Sequence, residues 1–380
     1  MKQLSFNTLS VHPPSVQNES FTSKATPIYQ TSSFVFNDLD HLEGYFSGET
    51  PYLYSRYGNP NPDELGKAVA QLEGAEDGVA TSSGMAAILA AILTVTQQGD
   101  HVIACADLYG GTYHLLSEEL KAFGIEVTFI PFSQIEEIEQ ARKETTKLIY
   151  SESITNPFLR VENIEQLVEF AKKYELFTII DNTFATPYLL NPIKQGIDLV
   201  VHSATKYLGG HSDVSAGVVV GNEQLLEKTK KKVIGLGMNL SPFEAWLTTK
   251  GLKTLALRME RQVKNAQQLA DALQENSHVA TVYYPKNATE KGNGAVVTIE
   301  LESSCDMKEF FKHLNWIKIV PSLGGIESTV SYPLGTSHRN LPQEVQAELK
   351  INPYVVRISV GIEESHDIIS QIEQAITAAK

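Results

Sequence analysis

Short apolar runs alternate with helix-like segments between residues 60 and 225 of this chain. The runs are almost continuously apolar, which is typical of strands buried on both faces of a parallel sheet. They are HVIACAD (101–107), EVTFIPF (126–132), TKLIYSES (146–153), FTIIDNT (177–183), DLVVHSA (198–204) and AGVVVG (216–221). Helical periodicity lies at 61–74, 84–98, 111–124 and 164–175. This alternation predicts an α/β fold with a mostly parallel, doubly wound sheet.

The order of elements changes in the last third of the chain. A long helical segment is predicted over 241–276, because Ser241 is a favoured N-cap residue and Pro242 suits the first helical position. Strand-like runs at 294–303, 317–325 and 354–363 then alternate with helices at 306–315 and 365–379. We therefore predict a large domain over 60–250 and a smaller C-terminal α+β domain over 251–380. The weakly periodic residues 1–59 predict an extended N-terminal arm.

Length and charge limit the classes of function. A chain of 380 residues exceeds what one hydrophobic core usually holds. Its formal net charge of -14 argues against nucleic acid or an anionic membrane as the main partner. The chain has no apolar stretch of membrane-spanning length and no signal-peptide core, which predicts a cytoplasmic protein. Cys105 and Cys305 show neither metal-binding spacing nor a redox pair, so no metal site is predicted.

Polar residues follow three of the apolar runs at the point where each run ends. Asp181 follows FTII, Asn156 lies just beyond LIYSES, and Ser203, Thr205 and Lys206 follow DLVVH. Ligands bind at the carboxyl ends of the strands in doubly wound sheets. Each feature taken alone has a structural explanation, such as a helix cap, a salt bridge or a surface lysine. Together they predict a ligand site at this edge of the sheet.

A turn of small residues at Ser83, Gly84 and Met85 leads into a helical segment. Free amides at a helix N-terminus form an anion site. A phosphate site, an acid able to keep a ring nitrogen protonated and a lysine able to condense with an aldehyde are what pyridoxal 5'-phosphate (PLP) requires of a protein. We assign these roles to the turn, to Asp181 and to Lys206. Ser203 and Thr205 add hydroxyl donors for the phosphate, and Tyr109 offers a face to stack on the ring.

Two other classes of protein are compatible with parts of this pattern. The letters Ser203-Ala-Thr-Lys206 match the SxxK motif of serine acyl-transferring enzymes. That motif requires a serine that opens a helix, together with SDN and KTG motifs that this chain lacks. A non-catalytic binding module is the other alternative. The convergence of several polar strand ends favours an enzyme over both.

Nine segments in the same order resemble one known family. They are YSRYGNP (54–60), SSGMAAI (82–88), DLYGGTY (107–113), ESITNP (152–157), DNTFATPYL (181–189), HSATKYLGGHSDV (202–214), KGLKTLALRM (250–259), SLGGIES (322–328) and RISVGIE (357–363). In these segments the chain resembles the PLP-dependent enzymes of cysteine and methionine metabolism, the trans-sulfuration family. The resemblance implies the fold type I architecture of PLP-dependent transferases, and it covers nearly the whole chain.

The resemblance also implies roles that the residues alone do not assign. Tyr54 and Arg56 would reach the phosphate of a neighbouring subunit, which gives the N-terminal arm a purpose and requires a homo-oligomer, typically a tetramer built from two dimers. Tyr54 would also assist proton transfer and contact the substrate. Arg357 would bind the carboxylate of a small sulfur amino acid, with Ser322 nearby. Asn156 would lie beside both cofactor and substrate.

The specific activity depends on a few wall positions. The resemblance implies a carbon–sulfur lyase, with cystathionine β-lyase first. Cystathionine γ-lyase is an alternative, as are the transferases cystathionine γ-synthase and O-acylhomoserine sulfhydrylase. Pro321 stands where γ-acting members often have glutamate, and SYPLGTSH (331–338) is similar to β-lyases of Gram-positive type. His114 stands where many members have arginine, and Gly111 where methionine γ-lyases usually have cysteine. We expect Pro321 and His114 to influence substrate preference.

Overall fold

A seven-stranded sheet forms the centre of the larger part of the molecule. The computed structural model describes residues 4–14, 23–132 and 135–380. The strands are β1 Asp77–Thr81, β2 His101–Cys105, β3 Glu126–Ile130, β4 Thr146–Glu152, β5 Phe177–Asp181, β6 Leu199–Ser203 and β7 Gly217–Gly221. Their order across the sheet is β1-β7-β6-β5-β4-β2-β3. Positions 1–3 and 15–22 of the predicted N-terminal arm lie outside the described residues.

The strand pairing confirms the predicted α/β fold with a mostly parallel sheet. Pairs β2–β3, β2–β4, β4–β5 and β5–β6 are parallel. Strand β7 is antiparallel to both of its neighbours, β1 and β6. Strand β1 was not predicted, because its sequence DGVAT is short and carries a glycine. That glycine has a packing reason, since a Cβ on Gly78 would lie 2.2 Å from the carbonyl oxygen of Gly66 on the neighbouring helix.

Helices cover the sheet and connect its strands. In chain order they are α1 Phe6–Val11, α2 Leu39–Phe46, α3 Pro60–Glu73, α4 Gly84–Val95, α5 Gly110–His114, α6 Leu120–Ala122, α7 Ile135–Ala141, α8 Ile164–Tyr174, α9 Thr186–Leu189, α10 Pro192–Gln195, α11 Glu223–Gly235, α12 Pro242–Leu252, α13 Leu255–Gln274, α14 Met307–Lys312, α15 Gln343–Glu348 and α16 Ser365–Ala378. A π-helical segment, Leu115–Glu119, joins α5 to α6, and Pro333–Gly335 forms a 3-10 turn. No helix in the described part of the chain is long and apolar enough to cross a membrane.

A second sheet of five strands lies in the C-terminal part of the chain. Its strands are β8 Val279–Tyr283, β9 Val296–Leu301, β10 Lys318–Ile319, β11 Thr329–Ser331 and β12 Val355–Ser359, in the order β10-β11-β12-β9-β8. All of its pairs are antiparallel except β10–β11. The buried apolar side chains divide into a large cluster around the first sheet and a smaller one around the second. The smaller C-terminal α+β unit is therefore present, and its predicted boundary at residue 251 stays a prediction.

The predicted helix over 241–276 is two helices, α12 and α13. The break follows Gly251, whose carbonyl oxygen accepts hydrogen bonds from Thr254 Oγ1 at 3.2 Å and from Arg258 Nη2 at 3.0 Å. Gly251 also packs tightly, because a Cβ there would lie 2.1 Å from the carbonyl oxygen of Gly209. Side chains thus donate hydrogen bonds to a carbonyl oxygen that, in a continuous helix, would accept a backbone N–H. Periodicity alone does not reveal this competition.

Candidate active site

The carboxyl ends of β4, β5 and β6 border a cavity of about 200 Å³. In the parallel register Glu152 pairs with Asp181, and Asp181 pairs with Val201, so the three strands end at the same edge. The cavity contains eleven of the thirteen residues predicted for the site, and the exceptions are Tyr54 and Arg56. The lining residues used below are Ser83, Gly84, Met85, Tyr109, Glu152, Asn156, Asp181, Ser203, Thr205, Lys206, Pro321, Ser322, Ser337 and Arg357.

Lys206 lies in the turn that follows β6, with its amine in the cavity. Nζ donates a hydrogen bond to Ser322 Oγ at 2.9 Å. Burial lowers the pKa of Lys206 to about 8, and the positive charge of Arg357 adds to this effect. About a tenth of this amine is neutral at pH 7, whereas an ordinary lysine is almost fully charged. Lys206 is therefore suited to act as a nucleophile and a base.

Two carboxyl groups lie side by side on β4 and β5. Asp181 Oδ1 accepts a hydrogen bond from the backbone N–H of Thr183 at 2.9 Å, and Glu152 Oε1 accepts one from the N–H of Tyr109 at 2.8 Å. Burial raises the pKa of both groups, and the charge of Asp181 raises that of Glu152 further. Of the two groups, Glu152 therefore keeps a proton more readily, and Asp181 takes the negative charge more readily. Sequence analysis missed Glu152, although it also ends an apolar strand.

The N-terminus of α4 lies at the cavity, where the sequence predicts an anion site. Ser83 is the N-cap residue, and its Oγ accepts a hydrogen bond from the N–H of Ala86 at 3.1 Å. Gly84 brings the helix close to β6, since a Cβ there would lie 2.7 Å from Ser203 Cβ. Thr205 Oγ1 accepts from the N–H of Ala216 at 3.0 Å, which fixes the turn that carries Lys206. Ser83, Gly84, Ser203 and Thr205 thus converge where a phosphate would bind.

Arg357 is a buried cation on β12. Nη1 donates to Asn156 Oδ1 at 2.9 Å, and Nη2 donates to the carbonyl oxygen of Ser322 at 3.3 Å. Nε is buried and has no partner among the described residues, and no described carboxylate forms an ion pair with this guanidinium. Burial lowers the pKa of Arg357 to about 10. A buried charge without a counter-ion is costly, so Arg357 is prepared to bind an anion from the cavity.

Of the two positions expected to influence substrate preference, Pro321 lines the cavity and His114 does not. Pro321 and the exposed Tyr109 line the cavity, as predicted. His114 does not line it, because its side chain is 62% exposed and faces Glu119 at 3.6 Å. The position follows from α5, which turns this side chain outward. His114 therefore does not reach the cavity of its own chain, and its influence on substrate preference stays a prediction.

Tyr54 and Arg56 lie outside this cavity. Arg56 Nη1 donates to the carbonyl oxygen of Ile234 at 3.3 Å, and its guanidinium lies 4.6 Å from the centre of the Tyr57 ring. Tyr54 is 42% exposed. Neither side chain reaches the cavity of its own chain, so their assignment to the site of a neighbouring subunit stays a prediction.

The site fits PLP better than the serine chemistry that SxxK would require. Ser203 ends a strand rather than opening a helix, and Lys206 contacts Ser322. The cavity combines an anion site at a helix N-terminus, a strand-end acid and a lysine of lowered pKa, which suit the phosphate, the ring nitrogen and the aldehyde of PLP. No group of three His, Cys, Asp or Glu residues that could hold a metal ion occurs within residues 4–14, 23–132 and 135–380.

Comparison with known proteins identifies the same chemistry. The model of the family described as "Cys/Met metabolism PLP-dependent enzyme" matches residues 7–377. Cystathionine beta-lyase of Lactococcus lactis is 38% identical over 98% of this chain and 99% of its own. L-methionine gamma-lyase of Fusobacterium nucleatum is 38% identical over 99% of each chain.

A solved structure agrees with these sequence relatives. Cystathionine gamma-lyase from Lactobacillus plantarum, complexed with L-serine, superimposes with a TM-score of 0.93 at 34% identity over 99% of each chain. The family match spans almost the whole chain, and the similar proteins include lyases as well as a cystathionine gamma synthase. The chain therefore belongs to the Cys/Met metabolism family of PLP-dependent enzymes, and PLP is its cofactor.

Proposed function

We propose that this enzyme is a carbon–sulfur lyase that cleaves L-cystathionine to homocysteine, pyruvate and ammonia. The observation that carries the proposal is the pairing, in one cavity, of a buried Arg357 without a counter-ion and a Lys206 of lowered pKa. Arg357 suits the α-carboxylate of an amino acid, and Lys206 suits removal of the proton from its α-carbon. Ser322 connects the two groups, since its hydroxyl accepts from Lys206 and its carbonyl oxygen accepts from Arg357.

The chain's own residues would divide the work of such an elimination. Bound PLP supplies an electron sink for the charge left on the α-carbon. Asp181 would hold the ring nitrogen protonated, and Glu152 would fix the loop that carries Tyr109 through its backbone N–H. Ser83, Gly84, Met85, Ser203 and Thr205 would bind the phosphate. Arg357 and Asn156 would orient the substrate so that Lys206 Nζ faces the α-proton.

Two positions, one of them in the cavity wall, favour β-elimination from cystathionine over the alternatives. Pro321 lines the cavity where γ-acting members often carry glutamate. A Cβ at Gly111 would lie 2.5 Å from the ring of Tyr109, so the cysteine usual in methionine γ-lyases would require that ring to move. Cystathionine γ-lyase is the second candidate, because the chain closely resembles the Lactobacillus plantarum structure.

The products of cystathionine cleavage distinguish the candidates. We expect the purified holoenzyme to convert L-cystathionine to pyruvate and homocysteine, because elimination breaks the bond between Cβ and sulfur. The measurement is identification of the keto acid and the thiol by mass spectrometry. 2-Oxobutyrate with cysteine would instead show γ-lyase activity. Consumption of an acylhomoserine with cysteine or sulfide, and no turnover of cystathionine, would contradict a lyase and identify a γ-synthase or sulfhydrylase.

We also propose that the active site is shared between subunits of a homo-oligomer, typically a tetramer in this family. The N-terminal segment exposes large apolar side chains, including Val35 at 90%, Leu39 at 81% and Phe46 at 68%. Exposed apolar side chains concentrated on one segment favour a partner that covers them. Tyr54 and Arg56 lie in the same segment and outside the cavity of their own chain. They would then contact the phosphate of the neighbouring site.

Subunit mixing tests this sharing. We expect Arg56→Ala to weaken PLP binding about ten- to a hundredfold, the effect of losing a charge-assisted hydrogen bond. When Arg56→Ala and Lys206→Ala subunits are unfolded together and refolded at limiting PLP, hybrid dimers regain activity at one of their two sites. The measurement is specific activity of the mixture against each variant alone. Arg142→Ala, at an exposed arginine over the Tyr174 ring, is the control for charge removal. Unchanged PLP affinity of Arg56→Ala, or no recovery on mixing, would contradict the shared site.

A further inference from the structure

Ser337 and His338 form a hydrogen-bonded pair at the wall of the cavity. Ser337 lines the cavity, whereas His338 is completely buried behind it. Ser337 Oγ lies 2.8 Å from His338 Nδ1. His338 Nε2 lies 3.1 Å from the carbonyl oxygen of Asn156 and 3.3 Å from that of Leu108. The function proposed above uses neither of these two side chains.

The partners of His338 determine its tautomer. Carbonyl oxygens only accept hydrogen bonds, so Nε2 carries the proton and donates it to Asn156 and Leu108. Burial, together with the positive charge of Arg357, lowers the pKa of His338 to about 4, and the ring is therefore neutral near pH 7. Nδ1 of a neutral Nε2–H imidazole only accepts. The hydroxyl proton of Ser337 must then point at Nδ1, which leaves only lone pairs of Oγ for the cavity.

Close packing holds this pair in place. A Cβ on Gly110 would lie 2.0 Å from the carbonyl oxygen of Ser337, so the loop that carries Tyr109 packs directly on the Ser337 backbone. His338 joins that loop, through Leu108, to the segment that carries Asn156. Ser337 Oγ is therefore a fixed acceptor rather than a freely rotating hydroxyl.

The charged residues around the cavity indicate which kind of substrate group this acceptor could bind. The acidic residues among its described lining are Glu152 and Asp181, and both lie at strand ends where the cofactor ring is expected. Much of the remaining wall is apolar, including Ile154, Phe184 and Leu323. A second ammonium group on a substrate would find few acceptors along this wall. L-Cystathionine carries such a group on the half of the molecule that is distal to the reacting carbon.

We propose that Ser337 contacts the substrate and accepts a hydrogen bond from its distal ammonium group, with His338 as the positioning residue that keeps the hydroxyl in the accepting orientation. The inference rests on the proposed function, because it requires a substrate with a donor on its distal half. It makes Ser337 a determinant of specificity for sulfur amino acids with a charged tail over those with an alkyl tail.

Two substrates with the same scissile bond test this inference. L-Cystathionine carries the distal ammonium, and S-butyl-L-cysteine replaces the charged tail with an alkyl chain. We expect Ser337→Ala to raise KM for cystathionine about ten- to a hundredfold, the cost of losing a hydrogen bond to a charged group. The kcat for cystathionine and both constants for S-butylcysteine should change less than about twofold. Ser337→Thr keeps the hydroxyl and should recover most of the affinity for cystathionine.

The outcomes separate this inference from the proposed function. If the wild-type enzyme cleaves cystathionine and Ser337→Ala does so with unchanged KM, the role of Ser337 is refuted and the function stands. Equal losses with both substrates would show a general packing role and would also refute it. If the wild-type enzyme cleaves S-butylcysteine but not cystathionine, the proposed function fails, and the inference that rests on it fails as well.

Discussion

Replacing Lys206 with alanine is expected to lower kcat/KM for cystathionine by at least about 10³-fold, because one side chain serves as both nucleophile and base. The variant should fold normally. Loss of the Lys206 side chain removes one hydrogen bond, to Ser322, and also removes a buried amine that lies near the positive charge of Arg357. The measurements are steady-state kinetics at saturating PLP and the thermal unfolding midpoint. A Lys206→Ala enzyme that retained more than about a tenth of wild-type activity would contradict the assignment.

Lys121→Ala provides the matched control. Lys121 is an exposed lysine that pairs with Glu118 at 3.1 Å, so its removal should leave both kinetics and stability unchanged. Lys206→Arg adds a second comparison. Arginine keeps a positive charge near Ser322 but cannot lose its proton near neutral pH, so we expect it to be as inactive as the alanine variant. Activity in Lys206→Arg would show that charge alone is needed.

Arg357 is expected to have the second largest effect. Arg357→Met removes the charge and the N–H donors that we propose bind the substrate carboxylate, which should lower kcat/KM about 10²- to 10⁴-fold. Arg357→Lys keeps the charge and loses the bidentate geometry, so its loss should be intermediate. Stability should be retained in both variants, because the wild-type cation is buried without a counter-ion. Arg142→Lys is the control at an exposed arginine.

The pH dependence of PLP reattachment gives an independent measure of Arg357. The charge of Arg357 is one of two causes that lower the pKa of Lys206, and burial is the larger. Removing the charge leaves burial alone, so the pKa of Lys206 should rise in Arg357→Met and stay low in Arg357→Lys. The rate at which the apoenzyme binds PLP covalently should rise with pH as Lys206 loses its proton. In Arg357→Met this rise should therefore occur at a higher pH than in the wild type. Identical pH profiles for Arg357→Met and wild type would show that the two charges do not interact.

Sequence patterns predict the parts of this protein that are determined by interactions between residues close together in the chain. Continuous apolar runs predict buried parallel strands, and a polar residue at the end of such a run marks the ligand edge of the sheet. This rule found Asp181 and Lys206, and the small-residue turn at Ser83 predicted the helix N-terminus in the same cavity. The same rule applied to β4 would have found Glu152. The pairing of Glu152 with Asp181 depends on the position of β4 beside β5 in the sheet, which the sequence does not reveal.

The features that sequence analysis missed depend on contacts between distant segments. Strand β1 is too short to recognise without its antiparallel partner β7. The break after Gly251 depends on Arg258 taking a carbonyl. The buried position of His338 depends on Leu108 and Asn156, which lie far away along the chain. None of these contacts leaves a periodic signal in the sequence.

Borohydride reduction of the holoenzyme, followed by peptide mapping, tests the central claim most directly. Reduction fixes PLP onto the lysine that holds it, and mass spectrometry of the peptides then locates the pyridoxyl group. We predict a single modified residue, Lys206, in the peptide that contains HSATKYLGG (202–210). Modification of any other lysine, or loss of the cofactor without modification, would contradict the account of this active site.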